Sequence, residues 1–286
     1  MPELPEVEIT KRTLSKQILF KKIKEVTSIK PKLRYKLEKK KLKLLKNKII
    51  KKIKRRSKYI LIFFDDEFVM LIHLGMTGRF YFSNTNKKKI DTSFYNKNKI
   101  IHNHDHLKIS FNGFDLIYND IRKFGFIKIL NQNELNKSKY LIKLGCEPLS
   151  NQLNFKYLKS KLSKKKSSIK NLLMNQKIIS GLGNIYVNEV LHLSKIKPSK
   201  PGNDLKADHI KTLIKSIKKI LKNAIKAGGS TINNYYNSEG KMGSYQANFK
   251  VYNMEGKICP RTGCDGKIQR EFHSGRSIFF CFKCQS

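Results

Sequence analysis

Acidic residues are what this chain has least of relative to need: 21 Asp and Glu stand against 61 Lys and Arg, a formal net charge of +40 over 286 residues. Such a field attracts polyanions, nucleic acid first among them, and opposes self-association in their absence, which argues for a monomer. Part of the surplus is a lysine and asparagine bias spread along the chain, so total charge singles out no site. Long apolar runs are missing too. None approaches the roughly 20 residues of a membrane span, and the acidic start PELPEVE is unlike a secretory signal, so a cytoplasmic protein with no membrane partner is expected. Internal repeats are absent. Cysteine is almost absent before residue 259, with Cys146 alone there as a small buried or linker residue. The other four crowd residues 259–286, which in a reducing compartment points to a metal rather than to disulfides. A 39% hydrophobic content excludes disorder throughout and suffices for one large or two medium domains.

The first half reads as strands behind one helix. Leu4, Val7, Leu14 and Ile18 form a helical stripe between Glu3 and Phe20. YILIFF (59–64) and FVMLIHL (68–74) flank the acidic turn Asp65-Asp66-Glu67 as a hairpin of mostly buried strands. HLKISF and FDLIYND form a second hairpin about Asn112-Gly113, the pair that most readily takes a type I′ turn. Residues 84–100, rich in Asn and Lys, read as an exposed loop. At LGCEPLS (144–150) the pattern turns helical and a domain boundary is expected. Gly181 and Gly183 interrupt two amphipathic segments, and Asn184 is placed to cap the second. Ile210, Leu213, Ile214, Ile217, Ile220, Leu221, Ala224 and Ile225 form one apolar helix face that ends at Gly228-Gly229. The chain is therefore expected to be α+β.

Two stretches carry chemistry. Cys259, Cys264, Cys281 and Cys284 are two pairs sixteen residues apart, with Gly263, Gly266 and Gly275 available for turns. Four thiolates close a tetrahedral Zn²⁺ shell, so a hairpin too small for its own core is held by one structural ion. Four intervening residues in the first pair, where two are commoner, permit this but depart from the usual knuckle; the plainer reading is four unligated thiols. His273, and His104 with His106, are further ligand types, though an H-x-H in a strand-rich region reads first as structural or phosphate-facing. At the other end, removal of Met1 makes Pro2 a secondary amine with a reference pKa near about 8, beside Glu3 as a proton shuttle. Attack on a sugar carbon by that amine gives a charged iminium, an electron sink for eliminations. The plainer reading is helix initiation, since proline suits a first turn and glutamates complement its dipole.

Taken together, MPELPEVE, RRSKY, HLGMTG, DIRKFG, SGLGNIYVNEVL and GRSIFFCFKC, in this order and spacing, resemble the formamidopyrimidine-DNA glycosylase family over residues 1–286. The resemblance implies an N-terminal β-sandwich with a leading helix (1–135), a linker (136–150), a helix-two-turn-helix domain (151–250) and a zinc β-hairpin (251–286). It also implies a bacterial, nucleoid-associated base-excision enzyme that removes 8-oxoguanine and formamidopyrimidines from duplex DNA and cleaves the abasic site by β,δ-elimination. In it Pro2 is the nucleophile at C1′ of a flipped nucleotide and Glu3 the proton shuttle. Lys58 assists β-elimination, and Arg276 binds phosphate and assists δ-elimination. Met76, Arg122 and Phe124 fill the gap left by the base, Arg122 reading the orphaned cytosine. His73, His104, Lys165, Lys170 and Asn184 position phosphates. Residues 228–245 take the place of a lesion-sensing loop, expected to be mobile without DNA.

Taken alone, most of these residues have plainer readings: Lys58 a solvated lysine, Met76 and Phe124 core, Arg122 a surface charge. Met174-Asn175-Gln176 departs from the family's Leu-Asp-Gln, and a loosened capping or interdomain contact is expected there. Two alternatives stay open at this point. One is an endonuclease VIII-like glycosylase for oxidised pyrimidines, against which Glu3-Leu4-Pro5-Glu6 and DIRKFG argue. The other is a zinc-containing DNA-binding protein without catalysis.

Overall fold

A computed structural model describes residues 2–84, 90–91, 101–230 and 245–285. They fall into two compact units: residues up to 142 with 227–230, and Lys143–Lys226 with 245–285. The division at 142/143 lies beside the change of pattern at LGCEPLS (144–150), while residues 227–230 cluster with the strand-rich unit and not with the helical one. Among the described residues no helix is long and apolar enough to cross a membrane.

In the first unit, helix α1 (Leu4–Ile18) opens with a capping box in which the Glu3 N–H donates to Glu6 Oε2 at 2.9 Å. This satisfies a backbone donor that a helix start otherwise leaves orphaned. The stripe of Leu4, Val7, Leu14 and Ile18 is buried, as its spacing requires. Strand β1 (Glu25–Ser28) and the short α2 (Lys39–Lys43) lead into β2 (Ile50–Arg56), β3 (Tyr59–Phe64) and β4 (Phe68–His73). There follow β5 (Arg79–Asn84), β6 (Ile90–Asp91), β7 (Asp105–Ser110), β8 (Phe114–Asn119) and β9 (Phe126–Asn131), then α3 (Gln132–Asn136). All pairings are antiparallel, in sheets ordered β2-β3-β4-β9 and β1-β7-β8-β5-β6.

The two sheets share one core. Ile60, Ile62, Phe64, Met70 and Ile72 of the first join Phe80, Phe82, Leu107, Ile109, Leu116 and Tyr118 of the second, with Leu14 and Ile18 from α1. The other face of the four-stranded sheet is apolar as well: Leu61, Val69, Leu71 and Phe126 pack with Leu135, Tyr35, Tyr59 and Tyr140. Burial on both faces is why YILIFF reads as a continuous apolar run without alternation. The hairpin at Asn112-Gly113 forms, but only Gly113 takes a positive φ (+84°). A type I′ turn needs positive φ at both central residues, so the two-residue connection is of another type; the Phe111 N–H donates to the Phe114 carbonyl at 2.9 Å and the two rings stack at 5.0 Å. Of the stretch 84–100, expected to be an exposed loop, residues 90–91 pair with Tyr81 and Phe82, and 85–89 and 92–100 lie outside the described residues.

The second unit contains α4 (Phe155–Leu162), α5 (Ile169–Met174), α6 (Asn184–Leu193) and α7 (Ala207–Lys226), then a hairpin of β10 (Ile268–His273) and β11 (Arg276–Cys281). The apolar face expected from Ile210 to Ile225 is that of α7. Gln176 staples the α5–α6 connection: its Nε2 donates to the carbonyls of Met174 (3.0 Å) and Leu182 (2.7 Å), and its Oε1 accepts from Gly181 N–H (2.7 Å). Asn175, the C-cap of α5, accepts the Lys177 N–H on its Oδ1 at 2.9 Å. Asn184, however, does not cap α6. Gly183 is the N-cap and Asn184 the first helical residue, its amide committed elsewhere. Deep in α6, the Glu189 carboxylate accepts the N–H groups of Lys250, Val251 and Tyr252, fixing the chain that leads into the hairpin.

Candidate active site and metal centre

Pro2 and Glu3 are buried at the head of α1, Glu3 only 3% exposed. Glu6, one turn on, holds both ends of its surroundings: Oε2 takes the Glu3 N–H, and Oε1 takes the N–H and hydroxyl of Ser230, each at 2.8 Å. The residue preceding the stretch 231–244 is thereby tied to the first turn of α1, next to Pro2 and Glu3. Most of the loop expected to be mobile, 231–244, lies outside the described residues.

Lys58 sits in the β2–β3 turn, 6% exposed, after Ser57 in a left-handed conformation (φ +56°). Burial sets it apart from a solvated lysine. Arg55 donates to the Ser57 carbonyl at 2.9 Å and pairs with Glu8 on α1 at 3.0 Å, so one guanidinium fixes this turn to the helix bearing Glu3. Burial, and then the charges of Lys58 and Arg34, bring His73 down to about 4. Its Nδ1 accepts from Gly75 N–H at 3.1 Å, which leaves the Nε2 proton for donation. As a phosphate partner His73 would thus act as a neutral donor and not as a cation.

Met76, Arg122 and Phe124 line a cavity of about 620 Å³ together with Arg34, His73 and Lys123. Asp120 builds the loop that presents them. One of its oxygens takes the Thr77 hydroxyl, the other the Gly125 N–H at 2.8 Å, while Thr77 Oγ1 accepts from Arg122 N–H at 3.0 Å. Phe124 stays 45% exposed, with the Arg122 guanidinium 4.8 Å from its ring centroid. His104 lies half-buried before β7, its carbonyl accepting from Asp120 N–H. His106 is fully buried, its ring nitrogens 3.0 and 3.1 Å from the carbonyls of Lys30 and Asp120, a structural role.

In the second unit, Lys170 Nζ and Asn184 Nδ2 both donate to the Ser277 carbonyl, at 2.7 and 3.1 Å, directly beside Arg276. Burial, and then the Arg276 charge, pull the Lys170 ammonium down to about 8. Two crowded cations gain from an anion placed against them. Lys165 is exposed in the α4–α5 connection.

The sulfurs of Cys259, Cys264, Cys281 and Cys284 lie within 4.8 Å of one another, and no disulfide forms. Cys259 and Cys284 are 3.8 Å apart, Cys264 and Cys281 3.7 Å. A tetrahedron with bonds of about 2.3 Å separates its thiolates by about 3.8 Å, so the four residues fit one metal ion. At Gly266 a Cβ would lie 2.8 Å from Cys281 Sγ, so the hairpin closes only over glycine.

A two-sheet unit that presents basic and aromatic groups on adjoining loops, with a second unit in which a helix pair precedes a four-cysteine hairpin, is the architecture of a nucleic-acid-binding protein. Residues 1–127 match the formamidopyrimidine-DNA glycosylase N-terminal domain, and residues 144–235 the formamidopyrimidine-DNA glycosylase H2TH domain. The formamidopyrimidine-DNA glycosylase of Rickettsia africae (strain ESF-5) is 41% identical over 286 residues, covering 100% of this chain and 99% of that protein. That of Rickettsia massiliae (strain Mtu5) is 40% identical, covering 100% and 97%. Among solved structures, Lactococcus lactis Fpg in complex with DNA containing an abasic site superposes with a TM-score of 0.86 at 35% identity over 99% of both chains. The wild-type enzyme with DNA containing N7-benzyl-Fapy-dG gives 0.86 at 36% over 100% of both. The chain belongs to the formamidopyrimidine-DNA glycosylase family. The pyrimidine-directed and non-catalytic alternatives find no support in these matches.

Proposed function

We propose that this protein excises oxidised purines, 8-oxoguanine and formamidopyrimidines, from duplex DNA and cleaves the resulting abasic site, working as a monomer in a bacterial cytoplasm. The observation that carries the catalytic assignment is the Pro2–Glu3 seat: an amine one residue from a buried carboxylic side chain, on a helix start fixed by Glu6. With Met1 removed, the Pro2 nitrogen bonds to C1′ as the bond from C1′ to the base breaks. Glu3 protonates the sugar oxygen as the ring opens, leaving the iminium. Loss of a C2′ proton then expels the 3′ phosphate, with Lys58 assisting, and a second elimination expels the 5′ phosphate, with Arg276 assisting. Hydrolysis of the iminium frees Pro2.

The nucleotide must leave the stack for C1′ to be reached. Met76 and Phe124 enter the gap, and Arg122 donates to the orphaned cytosine. His73, His104, Lys165, Lys170 and Asn184 hold phosphates. Cys259, Cys264, Cys281 and Cys284 hold one Zn²⁺, which when bound stiffens the hairpin and takes no part in the chemistry.

Borohydride reduction of the enzyme on an 8-oxoguanine duplex should yield a covalent protein–DNA adduct, and intact mass should show that Met1 is gone. A variant that retains a residue ahead of Pro2 should give none. Absence of the adduct with correctly processed protein would refute the assignment.

A further inference from the structure

His192, in the last turn of α6, is buried with 5% of its surface exposed, and its Nε2 lies 3.4 Å from Cys259 Sγ. A metal-bound thiolate only accepts hydrogen bonds, so this ring nitrogen must carry its proton. The carbonyl of the same residue accepts from the Arg261 guanidinium. Arg261 lies within the longer first cysteine spacing, Cys259-Pro260-Arg261-Thr262-Gly263-Cys264, whose turn closes at Gly263 (φ +75°) with open space around it.

We infer that His192 is an outer-sphere positioning residue of the metal site, donating an N–H to the Cys259 thiolate, and that the longer spacing serves to bring Arg261 onto the His192 carbonyl. This rests on the four-cysteine zinc reading above.

Charge is the physical reason. Four thiolates around a divalent ion leave two negative charges, and Cys259 and Cys281 are buried. Such charge in a low-dielectric site needs compensating donors. His192 and Arg261 thus form a reciprocal clasp, ring to sulfur and guanidinium to carbonyl. Gln285 completes the attachment: its Nε2 donates to the Ile196 carbonyl just beyond α6 at 2.8 Å, and its Oε1 accepts from Cys281 N–H at 2.9 Å. The metal is therefore linked to the helix that opens with Asn184 beside Ser277.

The test uses the full zinc-loaded chain and a chromogenic chelator that reports metal release. His192→Phe should release zinc on the order of tenfold faster than the parent. In the cobalt-substituted protein the thiolate-to-metal charge-transfer band should move to lower energy, because a thiolate without its hydrogen bond is more easily oxidised. His192→Gln, which keeps an N–H donor, should restore both readouts toward the parent, as a merely space-filling role would not. An unchanged release rate and band in His192→Phe would overturn the inference. Should that variant not fold, Arg261→Met gives the second reading: release several-fold faster supports the clasp, and an unchanged rate overturns it. A parent protein that purifies without one zinc per chain and gives no tetrahedral thiolate–cobalt spectrum would instead refute the zinc reading itself.

Discussion

At the scale of single residues, the structure changes what a named side chain does more often than where it lies. His73 ends β4 at the head of its HLGMTG motif, but burial and two neighbouring cations bring it to about 4. Its folded state therefore binds fewer protons than the unfolded chain between that value and the ordinary 6.5. Stability from this residue is present above about pH 6.5 and is lost as pH falls toward 4, by on the order of 2–3 kcal/mol at most after discounting for residual solvent. Urea unfolding at pH 7 and pH 4.5 should show His73→Gln losing less stability on acidification than the parent; equal losses would place the neutral ring elsewhere. Lys58 shows the opposite relation. Among so many lysines only its RRSKY setting marks it, and burial in a left-handed turn then distinguishes it physically. The contacts of Glu6 with Ser230, of Asp120 with Thr77 and of His192 with Cys259 are not legible in the sequence, because these partners are distant in it. Ser230 stands 224 positions from Glu6, and Cys259 67 from His192.

At the scale of elements, the two loops that offer Met76 and Phe124 work as one piece because Gly75 lacks a side chain. A Cβ there would lie 2.3 Å from Gly125 N and 2.4 Å from the Phe124 carbonyl carbon, on a backbone with φ +64°. Gly75→Ala should therefore cost more than about 2 kcal/mol and weaken discrimination between cytosine and adenine opposite an abasic site. Gly113→Ala is the control, since its φ is also positive but nothing lies within 4 Å. Strain alone should cost it about 1 kcal/mol, with discrimination intact. Thermal melts and competitive binding of the two duplexes separate these outcomes, and equal behaviour of the two variants would rule out the packed-loop explanation. Strand and helix types were readable from periodicity at this scale. The turn at Asn112 and the cap of α6 were not, since both are decided by backbone angles that dipeptide preference only biases.

At the scale of the whole molecule, a formal charge of +40 makes DNA affinity a matter of counterion release. Binding to an undamaged duplex should fall steeply and linearly on a logarithmic salt scale, with Lys170→Ala and Arg276→Ala each reducing the slope by about one phosphate contact. A flat dependence would contradict the phosphate grip. The amino-acid sequence by itself determined the element types, the four-cysteine cluster and the family, because periodicity, cysteine spacing and contiguous motifs are local properties. Only the tertiary structure decided that Glu6 binds Ser230, that Asp120 joins two loops, that Lys170 and Asn184 meet at Ser277, and that His192 reaches Cys259. Those contacts depend on burial and on hydrogen bonds between residues far apart in the chain. For the opening stretch, local order supplied an amine beside a carboxylate, and folding supplied the buried, doubly anchored helix start that holds them.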